Sequence, residues 1–217
     1  MSELQATVFI VDDDQAVRES LAELAFSVGL QAQVFGSSDE FLQTYDPQQQ
    51  GCLLLDVRLP GMSGLRLQDE LTARGIDLPI IFMAGYGDVP TAVEAMKEGA
   101  FDFFEKPVNP QMLLDRIQAA LAEDLQRSQS RARIAAFAHK LALLTPRERE
   151  VLQLLTTGKP TSAIAKALGI SQKTAQAHRL SIFEKMQVDT VAGLVTAVHE
   201  REKRARESHR TLLTAHS

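Results

Sequence analysis

The sequence has a single cysteine, no tryptophan and no uninterrupted apolar run of about 18 residues. One cysteine excludes an intrachain disulfide and suits a reducing cytoplasm, which is the expected location. Cys52 lies in an apolar run at 52–55 and is predicted to be buried filler. The absence of a long apolar run excludes a membrane-spanning helix, so no membrane partner is expected. Residues 1–4 have neither a basic start nor an apolar stretch, so we expect no signal peptide.

Charge is unevenly distributed along the chain, whose formal net charge is −5. Residues 1–124 hold seven Lys and Arg against 21 Asp and Glu, whereas residues 125–140 hold four basic and no acidic residues. Residues 141–217 hold 12 basic and seven acidic residues. An acidic half followed by a basic half indicates two functions, one of which involves a polyanion. Chance variation in surface charge is the alternative, so the split does not stand alone.

Short apolar, β-branched runs alternate with helical spacing over the first 124 residues. Such alternation predicts a doubly wound α/β domain with a five-stranded parallel sheet. The strands are apolar throughout, as expected when both faces of a sheet are covered. The predicted strands are 6–11, 32–35, 53–55, 78–83 and 101–104, and the predicted helices are 15–28, 39–45, 63–73, 89–98 and 110–123.

The pattern changes at about residue 125, after which no strand is evident. Residues 125–140 lack Gly and Pro and predict a helical linker between a domain at 1–124 and one at 141–217. The second domain is predicted to be all-α, with four helices. Thr145 and Glu148 predict a capping box at the first helix, and Ser171 predicts the cap of the third. The helices are predicted from 145, through 164–168, at 172–186 and at 190–202.

Acidic side chains follow the first and third predicted strands, and Lys106 follows the fifth. Asp12, Asp13 and Asp14 come after strand one, and Asp56 comes after strand three. The carboxyl ends of parallel strands lie at one edge of a sheet, so these carboxylates should meet there. Oxygen ligands favour Mg²⁺, and an ammonium group pairs with phosphoryl oxygens. The arrangement predicts phosphoryl transfer onto an aspartate.

Four sequence blocks resemble the receiver domains of bacterial two-component systems. They are VDDD at 11–14, LDVRLPGMSG at 55–64, MAGYGDVP at 83–90 and EKP at 105–107. The resemblance covers roughly residues 5–124, and the block at 83–90 resembles the FixJ branch. It implies Mg²⁺ as cofactor and a sensor histidine kinase as partner. The implied roles are Asp56 as phosphoacceptor, Asp12, Asp13, Asp56 and the backbone carbonyl of Arg58 as metal ligands, and Lys106 as a phosphoryl contact.

Ala84 departs from the family pattern, which places Thr or Ser at this position. The hydroxyl of that residue binds a phosphoryl oxygen in the family, and Ala84 has none. We therefore expect weakened coupling between the phosphoryl group and the 84–104 surface, or coupling through backbone donors. Phe103 would be the aromatic residue that changes rotamer, although a core role fits it equally well. Arg58 and Tyr86 stand where family members tune dephosphorylation.

A short helix, a tight turn and a capped helix at 164–186 form the pattern of a helix-turn-helix, whose second helix enters the major groove of double-stranded DNA. The blocks LTPREREVL at 144–152, IAKALGIS at 164–171 and TAQAHR at 174–179 resemble the LuxR/NarL-type output domain, over about 141–200. Gln can read adenine and Ala a thymine methyl group. The candidate base contacts are Lys173, Gln176 and Ala177, and the candidate phosphate contacts are Thr174, Arg179 and Lys185.

The fourth helix resembles the family's dimer contact, with burial in the domain core as the alternative. The dimer candidates are Val191, Leu194, Val195 and Val198. A basic tail at 201–206 is predicted to be solvated. Both resemblances together imply a transcriptional regulator that is not an enzyme, forms a homodimer on activation and has RNA polymerase as a further candidate partner.

Two alternatives remain. A Mg²⁺-dependent phosphatase is disfavoured by the basic half and by Arg58, which stands where a second acid–base Asp would be needed. A DNA-binding regulator with a degenerate, phosphorylation-independent receiver is kept open by Ala84.

Overall fold

The computed structural model describes residues 6–85 and 89–196. The chain divides into two compact units, Met1–Ser128 and Gln129–Ser217. None of the described helices combines the length and the apolar character that crossing a bilayer requires.

The first unit is built on a five-stranded parallel sheet with the strand order β2-β1-β3-β4-β5. This is the order of doubly wound, flavodoxin-like sheets, which confirms the predicted α/β class. The outer strand β2 is largely exposed, whereas β1, β3 and β4 are buried along their whole length. The strands are β1 Thr7–Val11, β2 Gln31–Phe35, β3 Gly51–Asp56, β4 Ile80–Ala84 and β5 Asp102–Glu105.

Helices cover both faces of this sheet. Alternate residues of a strand point to opposite faces, so Phe9 and Leu53 belong to one apolar core while Ile10 and Cys52 belong to the other. Cys52 is fully buried, as predicted, and burial, helped by the charge of Asp124, raises the pKa of its thiol to about 12. The helices are α1 Gln15–Ser27, α2 Ser38–Thr44, α3 Gly64–Ala73, α4 Val89–Lys97 and α5 Pro110–Ala142.

Helix α5 is longer than the sequence pattern predicts. The predicted helix at 110–123 and the predicted linker at 125–140 form one continuous helix of 33 residues. No Gly or Pro follows Pro110 before residue 146, so nothing in the sequence stops the helix. Its last turns belong to the second unit, where Phe137 and Leu141 pack against the core. Residues 129–142 fall within the second compact unit.

The second unit consists of helices around a third apolar core, formed by residues such as Leu144, Val151, Ile182 and Leu194. The predicted capping box is present at Thr145, whose backbone N–H donates to Glu148 Oε2 at 2.7 Å. The predicted fourth helix is described at 191–196 only. The helices are α6 Pro146–Thr156, α7 Thr161–Leu168 and α8 Gln172–Met186.

Candidate functional site

The carboxyl edge of the sheet brings Asp12, Asp56 and Lys106 together. Strand register pairs Val11 with Leu55, so the residues that follow them are neighbours. Lys106 Nζ lies 2.7 Å from Asp12 Oδ2 and 2.6 Å from Asp56 Oδ1. Both carboxylates are buried, with 1% of Asp12 and 6% of Asp56 exposed. Two negative charges at this depth repel each other, and the shared ammonium relieves that repulsion.

Local backbone geometry holds Asp56 in place. Its second oxygen, Oδ2, accepts the backbone N–H of Arg58 at 2.7 Å. Gly64 opens α3 directly against the Asp56 backbone, and a Cβ there would lie 2.3 Å from the Asp56 carbonyl oxygen. Only glycine permits this approach, which explains the Gly at the end of the 55–64 block.

The protonation of this edge follows from burial and from the ion pairs. Burial raises the pKa of Asp56 above its usual value, and Lys106 opposes that rise. Burial acts to lower the pKa of Lys106, but its hydrogen bonds to Asp12 and Asp56 raise it overall. Lys106 therefore stays cationic at neutral pH.

The other acidic residues after β1 have separate places. Asp14 caps α1 by accepting the backbone N–H groups of Ala16 and Val17, so the predicted acidic cluster does not include it. Asp13 is exposed and lines the same cleft as Arg58. Among residues 6–85 and 89–196, no three His, Cys, Asp or Glu side chains form a ready metal cage.

The residues that would transmit a signal lie beside this edge. Ala84 ends β4 with 1% of its surface exposed. Its backbone carbonyl accepts a hydrogen bond from the backbone N–H of Lys106 at 2.7 Å. Phe103 in β5 is half-buried and packs on Phe82, with 6.3 Å between ring centroids. Tyr86 lies outside the described residues.

The exposed face of α8 carries four of the predicted DNA contacts. Gly169, with φ of 64°, makes the turn after α7, and Ser171 caps α8 by accepting the Thr174 N–H. Ala175 and Met186 are buried on the opposite face. Arg179 is half-buried and lies over the Phe183 ring. The exposed predicted contacts are Lys173, Thr174, Gln176 and Ala177.

Lys185 has a partner that the sequence did not reveal. Its ammonium lies 2.9 Å and 2.7 Å from the two carboxylate oxygens of Glu148, a residue assigned from sequence only to the capping box. Ser181, one turn before Lys185, donates to the same carboxylate. The i, i+4 spacing of two donors on one helix is the only signal that could have suggested it.

The predicted dimer residues differ in how far they are exposed to solvent. Leu194 is completely buried in the third core, so it is a core residue rather than a surface contact. Val191 and Val195 are half-buried. Val198 and the basic tail at 201–206 lie outside the described residues.

Comparison with known proteins agrees with this architecture. The family model described as response regulator receiver domain matches residues 8–118, and the model described as bacterial regulatory proteins, luxR family, matches residues 142–198. The chain belongs to the response regulators with a LuxR-type DNA-binding domain. It is therefore a two-component transcription regulator.

Relatives match over both domains. Nodulation protein W of Bradyrhizobium diazoefficiens is 42% identical over 88% of this chain and 84% of its own length. Transcriptional regulatory protein FixJ of Azorhizobium caulinodans is 42% identical over 87% of this chain and 89% of its own. The solved structure of response regulator StyR has a TM-score of 0.86 at 42% identity, covering 90% of this chain and 99% of its own.

Proposed function

We propose that a sensor histidine kinase switches this regulator by phosphorylating Asp56. The observation that carries the proposal is the Lys106 ammonium, which contacts both Asp12 and Asp56 at the carboxyl edge of a receiver sheet. An Asp56 carboxylate oxygen attacks the phosphorus of a phosphohistidine, so that a P–O bond forms, the P–N bond breaks and the histidine leaves. Lys106 then pairs with a phosphoryl oxygen.

The donor chemistry of this edge fits Mg²⁺. The ion binds proteins through one or two carboxylates and keeps several waters, so a cage of three carboxylates is not required. Asp12 and Asp56 supply hard oxygen donors, and Asp13 and Arg58 line the adjoining cleft. We assign Asp13, Asp56 and the carbonyl of Arg58 as the residues that would hold it directly, and Asp12 as a residue that would hold it through a bound water. Bound there, Mg²⁺ would offset the charge on the transferred phosphoryl group.

Replacement of Asp56 tests the phosphoacceptor. The full chain with Mg²⁺ and acetyl phosphate should gain the mass of one phosphoryl group, and Asp56→Asn should gain none. Asp69→Asn, which changes an exposed aspartate of α3, should behave as the wild type. Intact-mass spectrometry measures the added mass in all three proteins. Phosphorylation of Asp56→Asn would refute the assignment of Asp56 as phosphoacceptor.

We propose that Ala84 weakens the coupling of phosphorylation to dimer formation, because it has no hydroxyl to bind the phosphoryl group. Three apolar residues of α4 spaced at i, i+4 and i+7, Val89, Val93 and Met96, are exposed and offer a surface for the homodimer. They lie within the predicted 84–104 surface. A homodimer is also how helix-turn-helix proteins match two half-sites.

A hydroxyl added at residue 84 should strengthen the switch. Ala84→Thr should tighten dimerisation of the phosphorylated chain by about tenfold, which corresponds to about 1.4 kcal/mol. The valine of Ala84→Val has nearly the same shape as threonine but no hydroxyl, so this variant should not tighten dimerisation. Sedimentation velocity with and without acetyl phosphate measures the effect, and equal dimerisation of all three chains would contradict the weakened switch.

We propose that α8 reads DNA with Lys173, Gln176 and Ala177 at base edges and with Thr174 and Arg179 at phosphates. The exposure of Lys173, Thr174, Gln176 and Ala177 supports these contacts, whereas Arg179 is half-buried. RNA polymerase would be a further partner at the promoter, and the cytoplasm, where the DNA lies, would be the location. Selection of duplexes from a random library tests DNA reading, and Gln176→Ala should relax preference at one base position.

A further inference from the structure

The first turn of α6 holds a buried carboxylate whose partners are on α8. Glu148 is 4% exposed. Its Oε1 accepts a hydrogen bond from the Ser181 hydroxyl at 2.6 Å, and Lys185 Nζ contacts both of its carboxylate oxygens. The Thr145 N–H completes the set at 2.7 Å. One carboxylate therefore joins the cap of α6 to two points on the DNA-reading helix.

These two points restrain the rotation of α8 about its own axis. Ser181 and Lys185 are one helical turn apart and share a side of the helix. Lys173, Gln176 and Ala177 are on the same rigid helix, so its rotation decides where their side chains point. The neighbouring Arg147 donates to the carbonyl of Leu168 at the end of α7. Adjacent residues of α6 thus hold both helices of the helix-turn-helix.

We propose that Glu148 and Lys185 form a positioning pair that sets the orientation of α8, and that Lys185 serves this pair instead of contacting a DNA phosphate. The proposal rests on the DNA-binding function above and reassigns Lys185. If the Lys185 ammonium moved to a phosphate, the buried Glu148 carboxylate would lose its cation, which is energetically costly.

The salt dependence of DNA binding separates the two roles of Lys185. The full chain binds a fluorescent random-sequence duplex, and anisotropy gives the affinity at several salt concentrations. Each phosphate neutralised by a protein charge contributes about 0.9 to the slope of log affinity against log salt. Lys185→Met should keep the wild-type slope, whereas Arg179→Met, which removes a proposed phosphate contact from the same helix, should lose about 0.9. An equal loss for Lys185→Met would overturn the proposal.

A second variant covers the case in which Lys185→Met does not fold, because that change leaves Glu148 unpaired. The double variant Glu148→Gln with Lys185→Met removes both charges and leaves no buried ion. Its slope should equal that of the wild type. A slope reduced by about 0.9 would again show that Lys185 contacts a phosphate.

The orientation of α8 affects the sequence specificity of DNA binding. If the Glu148–Lys185 pair only stabilised the fold, its loss would not change that specificity. Duplexes selected by the wild type define a preferred sequence, and the ratio of affinities for preferred and random duplexes is measured below each variant's melting range. Glu148→Gln and Lys185→Met should each lower this ratio about tenfold, and the double variant should lower it no further. An unchanged ratio would refute positioning. A wild-type chain that selects no sequence would instead refute DNA reading itself.

Discussion

Replacement of Lys106 by Met should lower the free energy of unfolding of the receiver unit by about 3 kcal/mol at pH 7 without Mg²⁺. The reason is that Asp12 and Asp56 would lose the cation that lies 2.7 Å and 2.6 Å from their oxygens. The remaining charges are buried and close, so their repulsion and desolvation are uncompensated. Tyr45 and Tyr86 both belong to this unit, and the chain has no tryptophan, so tyrosine fluorescence in urea reports its unfolding alone.

Acidification and Mg²⁺ should both reduce this loss. Burial already raises the pKa of Asp56, and loss of Lys106 raises it further. A raised native pKa means that the folded state binds the proton more tightly, so the deficit shrinks as the pH falls through that pKa. Added Mg²⁺ supplies a replacement cation and should restore part of the stability. Lys97→Met, at an exposed position of α4, is the matched control, and an equal loss in both variants would contradict the argument.

The DNA-binding unit should lose about 3 kcal/mol of stability between pH 5 and pH 2 through Glu148 alone. Burial opposes ionisation of Glu148, but hydrogen bonds from Lys185, Ser181 and Thr145 outweigh it and lower its pKa from 4.5 to about 2. A lowered native pKa means that the stabilisation is present above the unfolded-state pKa and is lost as the pH falls towards the native one.

Hydrogen exchange of α6 and α8 amides, followed by mass spectrometry of the full chain, measures this loss locally. Protection should fall steeply on acidification after correction for the intrinsic exchange rate. Glu148→Gln should be less protected at pH 6 and nearly insensitive to pH over the same range. Glu150→Gln, on the same helix but half exposed, is the control. A Glu148→Gln chain with the wild-type pH dependence would show that another group is responsible.

The sequence by itself determined the fold class, the two-domain order and the residues that meet at the carboxyl edge of the sheet. Apolar strands alternating with helices allow few arrangements, and parallel strands end at one edge, so Asp12, Asp56 and Lys106 had to approach one another. The caps at Thr145 and Ser171 were equally predictable, because a cap depends on residues only three positions apart.

Only the tertiary structure decided the partners that come from distant parts of the chain. Leu194 entered the core, and Lys185 paired with Glu148, which lies 37 residues away. Each of these residues has several chemically acceptable partners, and local spacing does not choose between them. The choice depends on which helix faces pack together, because burial makes an unpaired charge costly and an exposed apolar side chain unfavourable.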